Sequence, residues 1–364
     1  LYCSDAANGV VVINTKRGVK YRTVVTVSNS TTFSKVYRLP DMQNSYGTSS
    51  GLMNWGEKYA STFDAKKFFN TGTNIINSVS VSTGNEKNQT YISASTTNTA
   101  GIIPENTYDR YNFTFRDVTK FLKDKLTVDL SASYILQDNK NMIAAGKYFN
   151  PLPALYLFPR GDDFDNVRLY QRWDESRNLY TQAWDYGSGD MSFQNPYWIM
   201  NKMINQTKKR RYMLSANLKY DVTDWLDVTG RVKVDNADMD ITEKRYAGTD
   251  TNFAGEKGMY SIIKRNDRQI YADAIANIDL TFAGDYHLSA NVGASLKDVR
   301  MDFMGWGGDL RKIPNFFSIT NISTTNYKER EDGSHIQSQS IFANVELAWK
   351  SMLYLTVTGR NDWE

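Results

Sequence analysis

Apolar and polar residues alternate with a period of two through segment after segment of this chain, the mark of strands with one greasy and one wet face. Leu126, Val128, Leu130, Ala132, Tyr134 and Leu136 share one face, while Thr127, Asp129, Ser131, Ser133 and Gln137 share the other. Tyr212, Leu214, Ala216, Leu218 and Tyr220 are set against Arg211, Ser215, Asn217 and Lys219 in the same way. The split returns in Leu226, Val228, Val232 and Val234, in Leu288, Ala290, Val292, Ala294 and Leu296, and in Ile341, Ala343, Val345, Leu347 and Trp349. Read along the whole chain, the pattern predicts eleven strands, at 21–33, 74–83, 90–97, 108–120, 125–137, 208–220, 225–238, 268–281, 287–299, 336–349 and 352–361.

The connections between these strands alternate in length. Tight links at 85–88, 121–125, 221–224, 283–286 and 350–351 join neighbours as hairpins. Between the hairpins lie long loops at 34–73, 139–206, 239–267 and 301–335. Short turns on one side and long loops on the other are the habit of outer-membrane barrels, with the short turns in the periplasm. A soluble sandwich shares the alternation, but its loops need not sort by side. Phe121, Tyr220, Trp225, Phe282, Tyr286, Trp349 and Tyr354 lie beside the short turns, where an interfacial aromatic girdle sits. The plainer reading of these aromatics is that they cap hairpins, since strands favour them anywhere.

Composition agrees with many strands: 23 Tyr, 17 Phe and 8 Trp stand against 7 Pro in 364 residues. No apolar run approaches the ~20 residues of a membrane helix, which excludes helical spanning but not a barrel, whose strands carry half as many outward apolar positions. With 43 basic and 40 acidic residues the charge is nearly balanced, and nothing points to nucleic acid. One cysteine, Cys3, excludes an internal disulfide framework. No charged n-region and apolar h-region opens the chain, so it reads as a fragment.

The stretch 1–18 differs from everything after it. Ala6-Ala7-Asn8-Gly9 is turn chemistry, and residues 10–13 are a short apolar run suited to a buried strand. It closely resembles the close of the plug domain in SusC-like TonB-dependent outer-membrane transporters, departing at Cys3, where the family usually has Gly. Other runs resemble landmarks of the same family: Phe68-Phe69-Asn70-Thr71-Gly72, Ala100-Gly101-Ile102-Ile103, Asn150-Pro151-Leu152, Leu155-Tyr156-Leu157-Phe158-Pro159-Arg160-Gly161, Gln194-Asn195-Pro196-Tyr197-Trp198, Ile313-Pro314-Asn315-Phe316-Phe317-Ser318 and Thr358-Gly359-Arg360-Asn361-Asp362-Trp363. The resemblance implies an all-β fold, an antiparallel transmembrane β-barrel of the plugged ~22-strand type. Residues 1–18 would end the plug, 19–364 would be the N-terminal half of the barrel, and the missing strands would lie beyond Glu364. The implied function is import of a large nutrient, an oligosaccharide or peptide, across the outer membrane of a Bacteroidota-type envelope. The implied partners are a SusD-like lid lipoprotein and TonB, the latter through residues upstream of Leu1. A siderophore or cobalamin receptor would share the architecture and is the alternative.

Catalytic and cofactor chemistry is sparse. His287 and His335 have no second ligand at metal spacing. Gly161-Asp162-Asp163-Phe164-Asp165 lacks the glycine and final Glu of a calcium loop, and Gly305-Trp306-Gly307-Gly308 lacks the rest of a nucleotide fingerprint. The sequence therefore suggests no enzyme, no cofactor and no metal. Aromatics crowd the loop at 139–206, and a loop of that length is usually functional or disordered. Packing of the loop on itself or on the lid accounts for most of them. Trp184, Tyr186 and Trp306, outside or beside the landmark runs, are the expected substrate contacts. Lys208-Lys209-Arg210-Arg211 falls at the outer end of a strand, where it is expected to meet lipopolysaccharide phosphates, or else to stand as a solvated charge cluster.

Overall fold

Backbone pairing between chain neighbours organises the molecule. The computed structural model describes residues 18–49, 51–59, 61, 63–186 and 193–364, so the motif at 1–17, with Cys3, lies outside the described residues. The strands are β1 (Val24–Ser34), β2 (Gly72–Gly84), β3 (Asn88–Ala100), β4 (Thr107–Phe121), β5 (Leu126–Lys140), β6 (Gln171–Asp174), β7 (Leu179–Gln182), β8 (Met203–Asp221), β9 (Leu226–Tyr246), β10 (Gly258–Phe282), β11 (Tyr286–Leu310), β12 (Ile322–Trp349) and β13 (Leu353–Trp363). Two short helices, α1 (Pro151–Tyr156) and α2 (Pro196–Lys202), lie in the connection between β5 and β8. That connection also holds β6 and β7, which form a hairpin of their own. The other eleven strands form one antiparallel sheet in chain order, β1 at one edge and β13 at the other. This is the all-β meander of an antiparallel barrel.

The register assigns every side chain to one of two faces. Val81, Ile92, Phe115, Ala132, Leu214 and Val234 pair in sequence across β2, β3, β4, β5, β8 and β9, so a single row of apolar groups crosses six strands. On β11 the same face carries Leu288, Ala290, Val292, Ala294 and Leu296, paired with Leu347, Val345, Ala343, Ile341 and Gln339 of β12. Many of these groups stay exposed, among them Ile92, Leu214, Val292 and Ile341. An exposed apolar band of this width has lipid as its natural solvent. Phe121, Tyr220, Phe282, Tyr286 and Trp349 close the band beside the short turns, with Phe282 and Tyr286 stacked at 5.6 Å. Tyr354 falls on the other face, its phenol donating to the Ser351 carbonyl at 3.2 Å.

The opposite face is wet and tightly paired. Arg116 Nη2 donates to Asp129 at 2.7 Å and Arg231 Nη2 to Asp273 at 2.5 Å, while Arg211 pairs with Asp235. Hydroxyl and amide ladders fill the gaps, as in Ser131 to Ser215 at 2.7 Å and Asn291 to Asn277 at 2.8 Å. Gly293 is required on this face, because a Cβ there would come within 2.7 Å of the Phe342 ring that lies across it.

Strands run further than the pattern predicts. The stretches 239–267 and 301–335, expected as loops, are mostly strand: β9 continues to Tyr246, β10 starts at Gly258, β11 ends at Leu310 and β12 starts at Ile322. The loops shrink to 247–257 and 311–321. At 34–73 and 139–206 the sheet takes only the ends, leaving 35–71 and 141–202 as connections. The reason is that the apolar face turns polar at Asp298, Arg300 and Asp302, which erases the alternation. Register nevertheless continues unbroken through Arg300 with His335 and Gly305 with Arg330. Backbone hydrogen bonds need no apolar side chains, and polar cross-strand pairs support them in water.

Val292, at the middle of the apolar band, tests the assignment of faces. In the full-length barrel, Val292→Arg is expected to cost about 2–4 kcal/mol in urea unfolding from phospholipid vesicles, and Ser289→Arg, on the wet face, less than about 1 kcal/mol. Equal costs would mean that the apolar face does not meet lipid.

Candidate functional site at the long-loop end

Connections from one end of the sheet converge into a packed knot. Leu155, Phe158, Trp198 and Phe68 are almost fully buried, and Ile103, Phe164, Val167, Ile199, Met200 and Met203 complete the cluster. Phe68 comes from the β1–β2 connection, Ile103 from β3–β4, the others from β5–β8 and the start of β8. Tyr246 and Phe253, around the β9–β10 turn, pack against it.

Asparagines hold the backbone of this knot, because one side-chain amide can both donate and accept. Asn150 caps α1, with Pro151 at the first helical position, and Asn195 caps α2, with Pro196 there. Asn195 also donates to the carbonyls of Val167 (2.9 Å) and Ala183 (3.1 Å), tying three parts of the connection together. Asn141 donates to Met200 O at 2.7 Å, Asn54 to Leu157 O at 3.1 Å, and Asn321 to the carbonyls of Ile313 and Phe316 at 2.7 and 2.9 Å. Trp198 Nε1 is satisfied by Thr249 Oγ1 at 3.0 Å. Each clamp replaces water for a backbone group that the fold has buried.

Arg160 is 2% exposed and faces no carboxylate in the hydrogen bonds it makes. Its guanidinium donates to the carbonyls of Gln43 (3.1 Å), Tyr156 (2.8 Å) and Phe158, and it stacks on Phe63 at 4.3 Å. Burial pushes its pKa below the usual arginine range. It pins the β1–β2 connection to the segment after α1.

Trp184 and Tyr186, expected as substrate contacts, belong to this knot. Their rings meet edge to face at 5.0 Å, and Tyr186 meets Phe158 at 5.1 Å. Burial, with help from the neighbouring carboxylates of Asp162 and Asp185, pushes the Tyr186 phenol up to about 12. Trp306 lies elsewhere. It shares the outer face of the sheet with Tyr260, Ile262, Leu310 and Ile322, and packs on that second cluster beside Phe317. The basic run divides by parity: Lys208 and Arg210 stand on the outer face, near Asp138 (3.9 Å) and Asp240 (3.4 Å), while Lys209 and Arg211 turn inward. A run of four charges in a strand cannot present one surface.

Sequence reasoning missed what lies behind Trp306. On the wet face, Gly305 and Gly307 floor a hollow of about 420 Å³ whose lining includes Glu243, Arg245, Phe253, Asp309, Lys328 and Arg330. The run Gly305-Trp306-Gly307-Gly308 has no nucleotide fingerprint, and its signal is glycine on alternate positions of a strand. Elsewhere His335 Nε2 meets Asp298 at 2.7 Å and His287 lies 3.7 Å from Asp279. Among the described residues no three His, Cys, Asp or Glu side chains gather as a metal site.

No protein-family profile matches the chain. Over 247 residues, 65% of the chain and 23% of the relative, it is 26% identical to the TonB-dependent receptor SusC of Bacteroides thetaiotaomicron. Over that stretch the chain is similar to SusC in sequence. Its fold is that of a chain in the RagAB peptide importer in the closed-closed state, with a TM-score of 0.75 at 15% identity over 100% of this chain and 44% of that one. The RagAB peptide transporter gives 0.76 at 13% identity with the same coverage. The chain thus spans less than half the length of these relatives. Its landmark runs at 150–152, 155–161 and 194–198 supply Asn150, Leu155, Phe158, Arg160, Asn195 and Trp198, the clamps and core of the knot.

Two measurements probe the knot. Asn195→Ala strands two N–H groups and two carbonyls, and is expected to cost about 1–3 kcal/mol. It should appear as faster amide exchange in 141–202 with exchange in β8 unchanged. The second is alkaline titration. A phenol raised in the folded state favours its neutral form there, so its contribution is whole below pH ~10 and is lost as pH rises towards 12. Tyr186→Phe should therefore remove one phenolate absorbance step near pH 12, and with it the loop's alkaline gain in protease sensitivity.

Proposed function

We propose that this chain forms part of a TonB-dependent importer of the outer membrane that carries a large nutrient, an oligosaccharide or peptide, with a SusD-like lipoprotein closing over the knotted loops. The observation that carries this reading is the similarity to SusC over 247 residues. Three features of the chain support it. An apolar band bounded by aromatics suits the bilayer, a polar inner wall suits a wet passage, and a packed cap at the long-loop end offers a lid a surface to meet.

β1 and β13 each have a free edge. Unpaired edges in hydrocarbon cost several kcal/mol per group, so other strands must close this sheet, around a plug on which TonB pulls. Residues 1–18 supply the end of that plug. Lys208 and Arg210, standing outside above the band, meet lipopolysaccharide phosphates, while the inward Lys209 and Arg211 serve the wall instead. The Lys208→Glu/Arg210→Glu double variant is expected to weaken binding to lipid A vesicles, and unchanged binding would refute that contact.

The test of the whole reading is accumulation in cells of the parent organism. Labelled oligosaccharide or peptide pools should enter with the full-length gene present. Entry should stop on its deletion or when the inner-membrane proton gradient is collapsed. Accumulation that survives both, or retention of only a metal chelate or corrinoid by the purified protein, would overturn it.

A further inference from the structure

The hollow on the wet face has the build of a binding site. Gly305 and Gly307 lie on β11 between Ile263 and Ser261 of β10 and Arg330 and Lys328 of β12. A Cβ on Gly305 would come within 3.0 Å of Ile263 Cγ1, and one on Gly307 within 2.9 Å of Ser261 Oγ. Two glycines on successive inward positions thus keep the floor low, because the β10 side chains beside them leave no room for a Cβ. The bare backbone that results can be approached closely from the wet side.

The charges around this floor are unequally committed. Arg245 donates to Phe253 O at 2.8 Å and to Glu243 at 3.0 Å, and it stacks on Phe149 at 4.5 Å, so it braces the wall. Asp309 accepts from Gly255 N at 2.8 Å. Lys328 and Arg330 are exposed and form no ion pair with any of the described residues. Glu243 balances Arg245, and Asp309 offsets one of the two remaining cations. One positive charge is left over. Phe253, Met259 and Ile263 give the same hollow an apolar side.

We infer that this hollow is a cargo subsite for a monoanionic carboxylate, held by Lys328 and Arg330 over the Gly305–Gly307 floor. The inference rests on the import reading and deepens it, since it names a group that the cargo must carry. A volume of about 420 Å³ takes one sugar or amino-acid unit, so the carboxylate is that of a peptide terminus or of a uronic acid. Arg330 gives two parallel donors and Lys328 a point charge, the usual division of labour at a carboxylate.

The experiment uses the full-length protein with its lipoprotein partner in detergent, and four probe pools: peptides with free or amidated C-termini, and oligosaccharides with uronates intact or reduced to neutral sugars. Mass spectrometry reads what is retained. The wild type is expected to retain the carboxylate form of one pool at least about tenfold over its neutral counterpart, and which pool does so names the source of the carboxylate. Lys328→Gln/Arg330→Gln should abolish that preference, Lys328→Arg/Arg330→Lys should keep most of it, and Gly307→Val should block the site with the charges intact. Equal retention of charged and neutral forms, or a preference untouched by Lys328→Gln/Arg330→Gln, would overturn the inference and leave the import reading standing. Retention of no peptide and no oligosaccharide would overturn both. A melting temperature within about 2 °C of wild type for each variant separates loss of binding from loss of fold.

Discussion

Every strand in this protein depends on one constraint, that backbone N–H and C=O groups must find partners where water is absent. Neighbouring strands meet it by pairing in chain order, and the main sheet is left open at β1 on one side and at β13 and the outer half of β12 on the other. Side chains then divide by face as a consequence of the pleat. Leu214 and Val292 turn to one solvent while Arg231 and Asp273 turn to another. The inner pairs satisfy one another within the wall, so the sheet keeps its shape without a hydrophobic core on that face.

The same constraint governs the loop end by other means. Irregular backbone is buried there, and no ladder is available to satisfy it. Asn54, Asn141, Asn195 and Asn321 take the place of neighbouring strands, and Arg160 spreads one charge over three carbonyls. The result is a cap that behaves as packed structure, although its sequence reads as a long loop. Beside the cap lies the hollow over Gly305 and Gly307, where the backbone is already paired and can be approached closely.

Strand positions and faces were legible wherever a segment passes through the apolar band, because a period of two with one face in lipid leaves a strong mark. The eleven alternating segments reappear as the eleven strands of the main sheet. Beyond Leu296 the mark fades, since the outer face turns polar at Asp298, Arg300 and Asp302, and pairing there rests on backbone hydrogen bonds that need no apolar side chains. The resemblance of the landmark runs to a known family was visible too, and their role as clamps was not. Hydrogen bonds such as Asn141 to Met200, across 59 positions, have no local signature.

The sequence by itself determined the strand-forming alternation and the sorting of short and long connections, both of them set by neighbours within a few residues. Tertiary structure alone decided what Trp306 packs against, which carboxylates Lys208 and Arg210 meet, that Trp184 and Tyr186 join the loop cluster, and that two glycines and two cations from separate strands share a hollow. The physical reason is that a strand's own pattern says which residues lie together on a face. Only the register between strands says what they meet there.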